Sequence, residues 1–126
     1  MLAKKLGVAN QLHLLEFRTD VDQLLRIMDV YCLPSIREGL NVSLMEAMAS
    51  GLLCVASKIR GNVDLIENGV TGFLCMPFEV DDVISALMNV MELQSKLTHD
   101  DKKTIAYKHS KTYVNGIMKD LYKRYI

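Results

Sequence analysis

VYCLPSIREGLNVSLMEAMASGLLCVASKIRGN, residues 30–62, sets two apolar runs on either side of a helical stretch. VYCLP (30–34) reads as a strand closed by Pro34 and Ser35, and IREGL as the loop after it. NVSLMEAMAS (41–50) is predicted helical, capped by Asn41 and ended by Gly51. LLCVAS (52–57) is the next strand, bounded by the polar loop KIRGN. The strand runs are apolar throughout instead of alternating, which marks a parallel sheet buried on both faces.

The same reading extends outward. Upstream, QLHLLEF (11–17) suits a buried strand, and TDVDQLLRIMD offers a helix starting at Thr19 or Asp20 with Val21, Leu24, Leu25 and Met28 on one face. Downstream, VDLIEN is predicted as a short helix stopped by Gly69, and TGFLCMP (71–77) as another strand. A long helix follows, with Val80, Val83, Ile84, Leu87, Met88, Met91 and Leu97 at helical spacing. After the polar segment THDDKKT, helix resumes at about Ile105, and a last helix (112–126) carries Val114, Ile117, Met118, Leu121, Tyr122 and Tyr125 on one face. Alternating strands and helices predict an α/β, Rossmann-like, doubly wound parallel sheet in one domain spanning 1–126.

Composition narrows the function classes. Half of the 126 residues are apolar, and 15 Lys and Arg balance 15 Asp and Glu. A zero net charge gives no electrostatic case for nucleic acid as a partner. The apolar runs are too short for a membrane span, and MLAKKLGVANQ lacks the apolar core of a signal peptide, so a cytoplasmic location is expected. Cys32, Cys54 and Cys75 show no metal or redox spacing and read as buried, reduced thiols. The eight methionines read as core filling, His13 as a core histidine, and His99 and His109 as surface residues. Asp20–Asp22 and Asp81–Asp82 fall at helix starts, where acids favour the dipole, so they read as caps and not as a metal site.

In open parallel sheets, ligands bind at the carboxyl ends of the strands. The loops to read are therefore Arg18–Asp20, Pro34–Leu40 and Ser57–Asn62. The second delivers a helix start, where the N–H groups of Leu40, Asn41, Val42 and Ser43 lack helical partners and favour an anion. Glu38 and Glu46 flank that start and would repel a bare phosphate. They suit a ligand that also carries sugar hydroxyls, which carboxylates accept in strong hydrogen bonds. A ligand with phosphates between two sugars fits both features. Lys58 and Arg60 read as solvated loop charge.

VYCLPSIREGLNVSLMEAMASGLLCVASKIRGNVDLIENGVTGFLC resembles the donor-binding block of glycosyltransferase family 4, the group 1 glycosyl transferases. That pattern runs strand, Pro-Ser, two residues, Glu-Gly-Leu, a helix with Glu-Ala-Met-Ala-Ser-Gly, a buried strand and a glycine-containing turn. Glu38 and Glu46 occupy its paired glutamate positions, and looser similarity extends from about Leu6 to the C-terminus. The resemblance implies a partial C-terminal domain of the GT-B fold that binds the donor of a retaining, polysaccharide-building transferase. Glu38 would contact hydroxyls of the transferred sugar and serve catalysis. Gly39, Leu40 and Asn41 would offer main-chain N–H groups, Glu46 would hold the ribose, and Phe17 and Arg18 would lie near the base. No metal or other cofactor is implied; the nucleoside-diphosphate sugar is a substrate.

Implied partners are the nucleotide-sugar and a glycan or lipid-linked acceptor, with peripheral membrane association of the whole enzyme. Two departures, Asn41 for a common Pro and Leu53 for another, are compatible with the pattern. The strands that carry the family's diphosphate-neutralising Arg and Lys have no counterpart here, and Lys4 and Lys5 precede the wrong run. Catalysis by the chain alone is therefore not expected. A non-catalytic sugar-nucleotide-binding module, an inactive gene fragment or an epimerase of similar fold are the rival readings. In the strand order 3-2-1-4-5-6, QLHLLEF and VYCLP would be strands three and four. An open edge on VYCLP and the apolar face of the last helix predict self-association.

Overall fold

A computed structural model describes residues 1–108, together with positions 110 and 123. Helix α1 (Leu2–Lys5) and a single 3-10 turn (Ala9–Gln11) precede α2 (Val21–Ile27). Then come β1 (Val30–Leu33), α3 (Val42–Ala49), β2 (Leu53–Ser57), β3 (Gly72–Cys75), α4 (Val80–Lys96) and α5 (His99–Lys108). The three strands form one parallel sheet in the order β1-β2-β3. Val30 pairs with Leu53 and Leu33 with Ala56, while Cys54 pairs with Gly72 and Ser57 with Cys75.

Central β2 is buried along its whole length, and its alternation feeds two cores. Cys54 and Ala56 pack with Leu25 of α2 and Leu44, Ala47 and Met48 of α3. Leu53 and Val55 pack on the opposite face with Ala86 and Val90 of α4 and Ile105 of α5. Helices thus cover both faces, as the uninterrupted apolar runs predict for a doubly wound sheet. β3 begins on glycine for a steric reason: a Cβ at Gly72 would stand 2.0 Å from the Cys54 carbonyl oxygen.

Both ends of α3 carry clear stop signals. Asn41 Oδ1 accepts the Leu44 N–H at 3.2 Å, capping the first turn. At the other end Gly51 takes φ +82°, and its N–H and that of Leu52 return to the Met48 and Ala47 carbonyls at 2.9 and 3.2 Å.

Several expectations are corrected. QLHLLEF is not a strand: Leu12 is extended, but among the described residues no strand pairs with the run, and Leu14 and Phe17 are 73% and 90% exposed. An apolar run becomes a strand only beside a free edge, and in the expected order this one is not the neighbour of β1. His13 is accordingly exposed and not a core residue. VDLIEN forms successive turns instead of a helix, with the Leu65 and Ile66 N–H groups both returning to the Asn62 carbonyl at 3.1 and 3.0 Å. So short a segment gains too few bonds to offset helix nucleation.

The helix predicted from about Ile105 starts at His99, six residues earlier. Thr98 and Asp101 form a reciprocal cap: Asp101 N–H donates to Thr98 Oγ1 at 3.2 Å, and Thr98 N–H to Asp101 Oδ2 at 2.8 Å. On α4 the buried stripe is Val83, Ala86, Leu87, Val90, Leu93 and Leu97. The predicted members Val80, Ile84, Met88 and Met91 form a second, exposed stripe, because two interleaved apolar rows share the helical period. Among the described methionines only Met48 is fully buried. Cys54 and Cys75 are buried as expected, while Cys32 is exposed on edge strand β1. Burial pushes the Cys54 thiol up to about 12, which keeps it protonated and inert. The helix predicted at 112–126, and with it His109, lies outside the described residues.

Candidate functional site

The loop from Pro34 to Asn41 links β1 to α3 at the carboxyl end of the sheet. Glu38 is exposed on it, and Ser35 Oγ donates to Glu38 Oε1 at 2.7 Å. That bond uses one carboxylate oxygen and leaves the other as a strong acceptor. Leu40 is 78% exposed, so the loop turns an apolar side chain to solvent just before the helix.

Asn41 organises the helix start. It is buried, and its Oδ1 accepts from Ser43 Oγ at 3.1 Å as well as from Leu44 N–H. Its Nδ2 donates to Asn62 Oδ1 at 3.0 Å, and Asn62 Nδ2 donates to the Ser57 carbonyl at 3.0 Å. The first turn is therefore tied to the end of β2 through two buried side-chain amides. Among the described residues, the N–H groups of Gly39, Leu40, Asn41 and Ser43 have no protein partner. Val42 differs from expectation: its N–H folds back on the Leu40 carbonyl at 3.1 Å. Unpartnered N–H groups at a helix start form a receptor for an anionic oxygen.

Glu46 is exposed on α3, one helical turn beyond Val42. It lines a cleft of about 250 Å³ with Val21, Asp22, Leu25, Ala49 and Ser50. The fold thus brings Glu46 to the start of α2, beside the segment that holds Phe17 and Arg18. Arg18 grips Asp20 with two hydrogen bonds, Nε to Oδ1 at 2.8 Å and Nη2 to Oδ2 at 2.6 Å. Those bonds hold the Asp20 carboxyl below its ordinary range and raise the guanidinium. Phe17 projects freely beside them.

The third loop contributes what the sequence reading missed. Lys58 and Arg60 are exposed. Gly61 instead makes the close contact: at φ +94°, a Cβ there would stand 2.6 Å from the Gly39 carbonyl oxygen. Asn62, the next residue, is fully buried. The only sequence signal was a Gly-Asn pair after a buried strand, which also describes an ordinary turn. Ser57 Oγ, at the end of β2, is buried without a hydrogen-bond partner among the described residues. The acidic pairs at helix starts have local roles: Asp20 with Arg18, and Asp82, whose Oδ2 accepts the Met76 N–H at 2.5 Å. A separate cavity of about 250 Å³ lies by Ser50–Leu52, at the amino end of β2, with Arg26, His99, Lys102 and Lys103 on its walls. It shares only Leu25 and Ser50 with the Glu46 cleft.

Comparison with known proteins agrees with this arrangement. The chain is 37% identical over 87 residues to the UDP-Gal:alpha-D-GlcNAc-diphosphoundecaprenol alpha-1,3-galactosyltransferase of Escherichia coli, covering 69% of this chain and 22% of that protein. It is 32% identical over 112 residues to the N,N'-diacetylbacillosaminyl-diphospho-undecaprenol alpha-1,3-N-acetylgalactosaminyltransferase of Campylobacter jejuni, covering 80% and 30%. The chain thus spans less than a third of the length of these relatives. Among solved structures, Anabaena HepE in complex with UDP and glucose superposes with a TM-score of 0.77 at 28% identity, over 96% of this chain and 34% of that one. Its neighbours are GT-B glycosyltransferases, and the parallel sheet with helices on both faces is a Rossmann-like part of that fold. The family model described as glycosyl transferases group 1 matches residues 1–109, and the chain belongs to that family.

Proposed function

We propose that the chain is the donor-binding part of a retaining glycosyltransferase that moves a sugar from a nucleoside-diphosphate sugar to a glycan or lipid-linked acceptor. The observation that carries this reading is the α3 start, where, among the described residues, the N–H groups of Gly39, Leu40 and Asn41 have no partner and lie along the chain between Glu38 and Glu46. The N–H groups receive the diphosphate, whose charge they stabilise as it departs. Glu38 accepts from hydroxyls of the transferred sugar, and Glu46 from the ribose. Phe17 and the Arg18–Asp20 pair flank the base.

The solved HepE complexes with UDP and with UDP-glucose support a nucleotide-sugar as ligand. The names of the E. coli and C. jejuni relatives, both acting on diphosphoundecaprenol-linked sugars, support a lipid-linked acceptor. Such an acceptor is in keeping with peripheral membrane association of the whole enzyme on its cytoplasmic side. Transfer proceeds without a metal, consistent with the local pairing of Asp20 and Asp82. The outer edge of β1, unpaired among the described residues, and the exposed α4 stripe favour self-association of the chain.

Titration of the 126-residue chain with UDP tests the reading. UDP is expected to bind, with chelator making no difference. Glu46→Gln is expected to weaken binding by about 1.5–3 kcal/mol, the worth of a hydrogen bond to a charged group. Unchanged affinity in a folded Glu46→Gln chain removes Glu46 from the site. Light scattering after size exclusion checks self-association, and a stable monomer across micromolar concentrations ends that part of the proposal.

A further inference from the structure

We infer that Asn62 is a positioning residue for the donor loop, fixing the main chain of Gly39–Asn41 in its ligand-receptive form. The inference rests on the donor-site reading above. Asn62 is fully buried, where a carboxamide is costly unless its polar atoms are paired. Both halves are paired, and to different elements: Nδ2 to the Ser57 carbonyl of β2, Oδ1 to Asn41 Nδ2. The pairing also fixes the orientation of Asn41, since its Nδ2 must donate to Asn62 while its Oδ1 caps Leu44.

Two further observations point to the loop rather than to general stability. Among the described residues, the Asn41–Asn62 bond is the one side-chain hydrogen bond tying residues 34–41 to anything beyond that loop and α3. The adjacent Gly61 touches the same loop through main chain, with room for no Cβ against the Gly39 carbonyl. Residues 61 and 62 therefore act together, one setting the distance to Gly39 and the other locking Asn41. A loop held in advance loses less freedom when it binds.

The role predicts a split between ligand groups. Without the Asn62 amide, the loop that engages the diphosphate loosens, while the ribose end at Glu46 on α3 is unaffected. The experiment compares UDP and uridine affinities, by NMR titration, in the wild-type chain, Asn62→Ala, Asn41→Ala and the double variant. Asn62→Ala is expected to weaken UDP about tenfold, equivalent to a modest hydrogen-bond term, and uridine less than twofold. Both ligands need the folded chain, so partial unfolding lowers the two alike and leaves their ratio unchanged. In the Asn41→Ala background the Asn62 effect on that ratio is expected to vanish, because the two act as one unit.

A wild-type chain that binds no UDP overturns the donor-site reading and this role with it. UDP binding by the wild type with an unchanged ratio in Asn62→Ala, or full additivity in the double variant, overturns the role of Asn62 alone. If Asn62→Ala does not fold, Gly61→Ala probes the same placement by pushing on the Gly39 carbonyl, and must lower the UDP-to-uridine ratio; an unchanged ratio there overturns the inference equally.

Discussion

The two ends of α3 are finished by different means. At its start, side chains do the capping: Asn41 satisfies Leu44 and is itself held by Asn62, while among the described residues the N–H groups of Gly39, Leu40 and Asn41 stay open. At its finish the main chain does most of it, with Gly51 in a left-handed conformation and the Met48 and Ala47 carbonyls both occupied, and Ser50 Oγ adding one bond to the Glu46 carbonyl at 2.9 Å. A structural terminus closes its hydrogen bonds locally. The start of α3 instead leaves donors open and is held by the buried amides of Asn41 and Asn62.

That contrast is sharpest in Asn41→Ala, which removes the cap and leaves the Asn62 acceptor buried and unpaired. A stability loss of about 2–4 kcal/mol is expected from the two effects together. The folded fraction should also bind UDP more weakly; denaturant unfolding and UDP titration read the two separately. Full UDP affinity in this variant breaks the distinction between the ends.

Gly51→Val is the reciprocal test. The φ of +82° and the Lys102 carbonyl oxygen 3.0 Å from a built Cβ make any side chain strained there. About 1–3 kcal/mol of stability should be lost for the backbone strain alone, with UDP affinity of the folded chain unchanged. A selective loss of UDP binding instead shows that the finish of α3 also serves the site.

Thr98→Ala acts one step farther away, on the cap of α5, which packs against α3. The expected loss is about 0.5–2 kcal/mol, with fraying of α5 visible as faster amide exchange from His99 to Lys102 and no change at the loop. Acidification has the mildest effect. Asp20 and Asp101 are held below their ordinary values by Arg18 and by Thr98 respectively. Stability from depressed carboxyl groups is complete above the ordinary carboxylate range, near pH 4, and fades as pH falls through the folded-state values. Asp101 is exposed and Asp20 is half-exposed at the surface, so both contribute little, and melting temperature should be flat from pH 7 to about 5 and decline only below that. A step near pH 6 contradicts this assignment.

Local signals made β1, α3, β2 and β3 legible, because apolar runs, an Asn cap and a Gly stop act within a few residues. The placement of Glu38 and Gly39 on the β1–α3 loop and of Glu46 on α3 followed from the same signals, while their roles came only from the family resemblance. QLHLLEF misled because an apolar run does not reveal whether a strand edge will meet it. On α4 two apolar rows competed for one period, and only packing against β2 and β3 selected Val83, Ala86 and Val90 over Ile84, Met88 and Met91. The start of α5 is set by the Thr98–Asp101 cap and not by hydrophobic periodicity, which begins only at Ile105. Asn62 could not be found at all from local pattern: its partner Asn41 lies 21 positions away, and nothing short-range distinguishes a buried Asn from a turn residue.

The Gly39–Gly61 contact has a consequence for how such a site can change over time. It is made of main chain alone, so it encodes a spacing and no chemical preference. Substitutions at neighbouring exposed positions, such as Ile36, Leu40 or Arg60, can change the surface of the two loops while the gap between them stays constant. A side chain at position 61 has no such freedom, since it must displace the 34–41 loop before it can be accommodated at all.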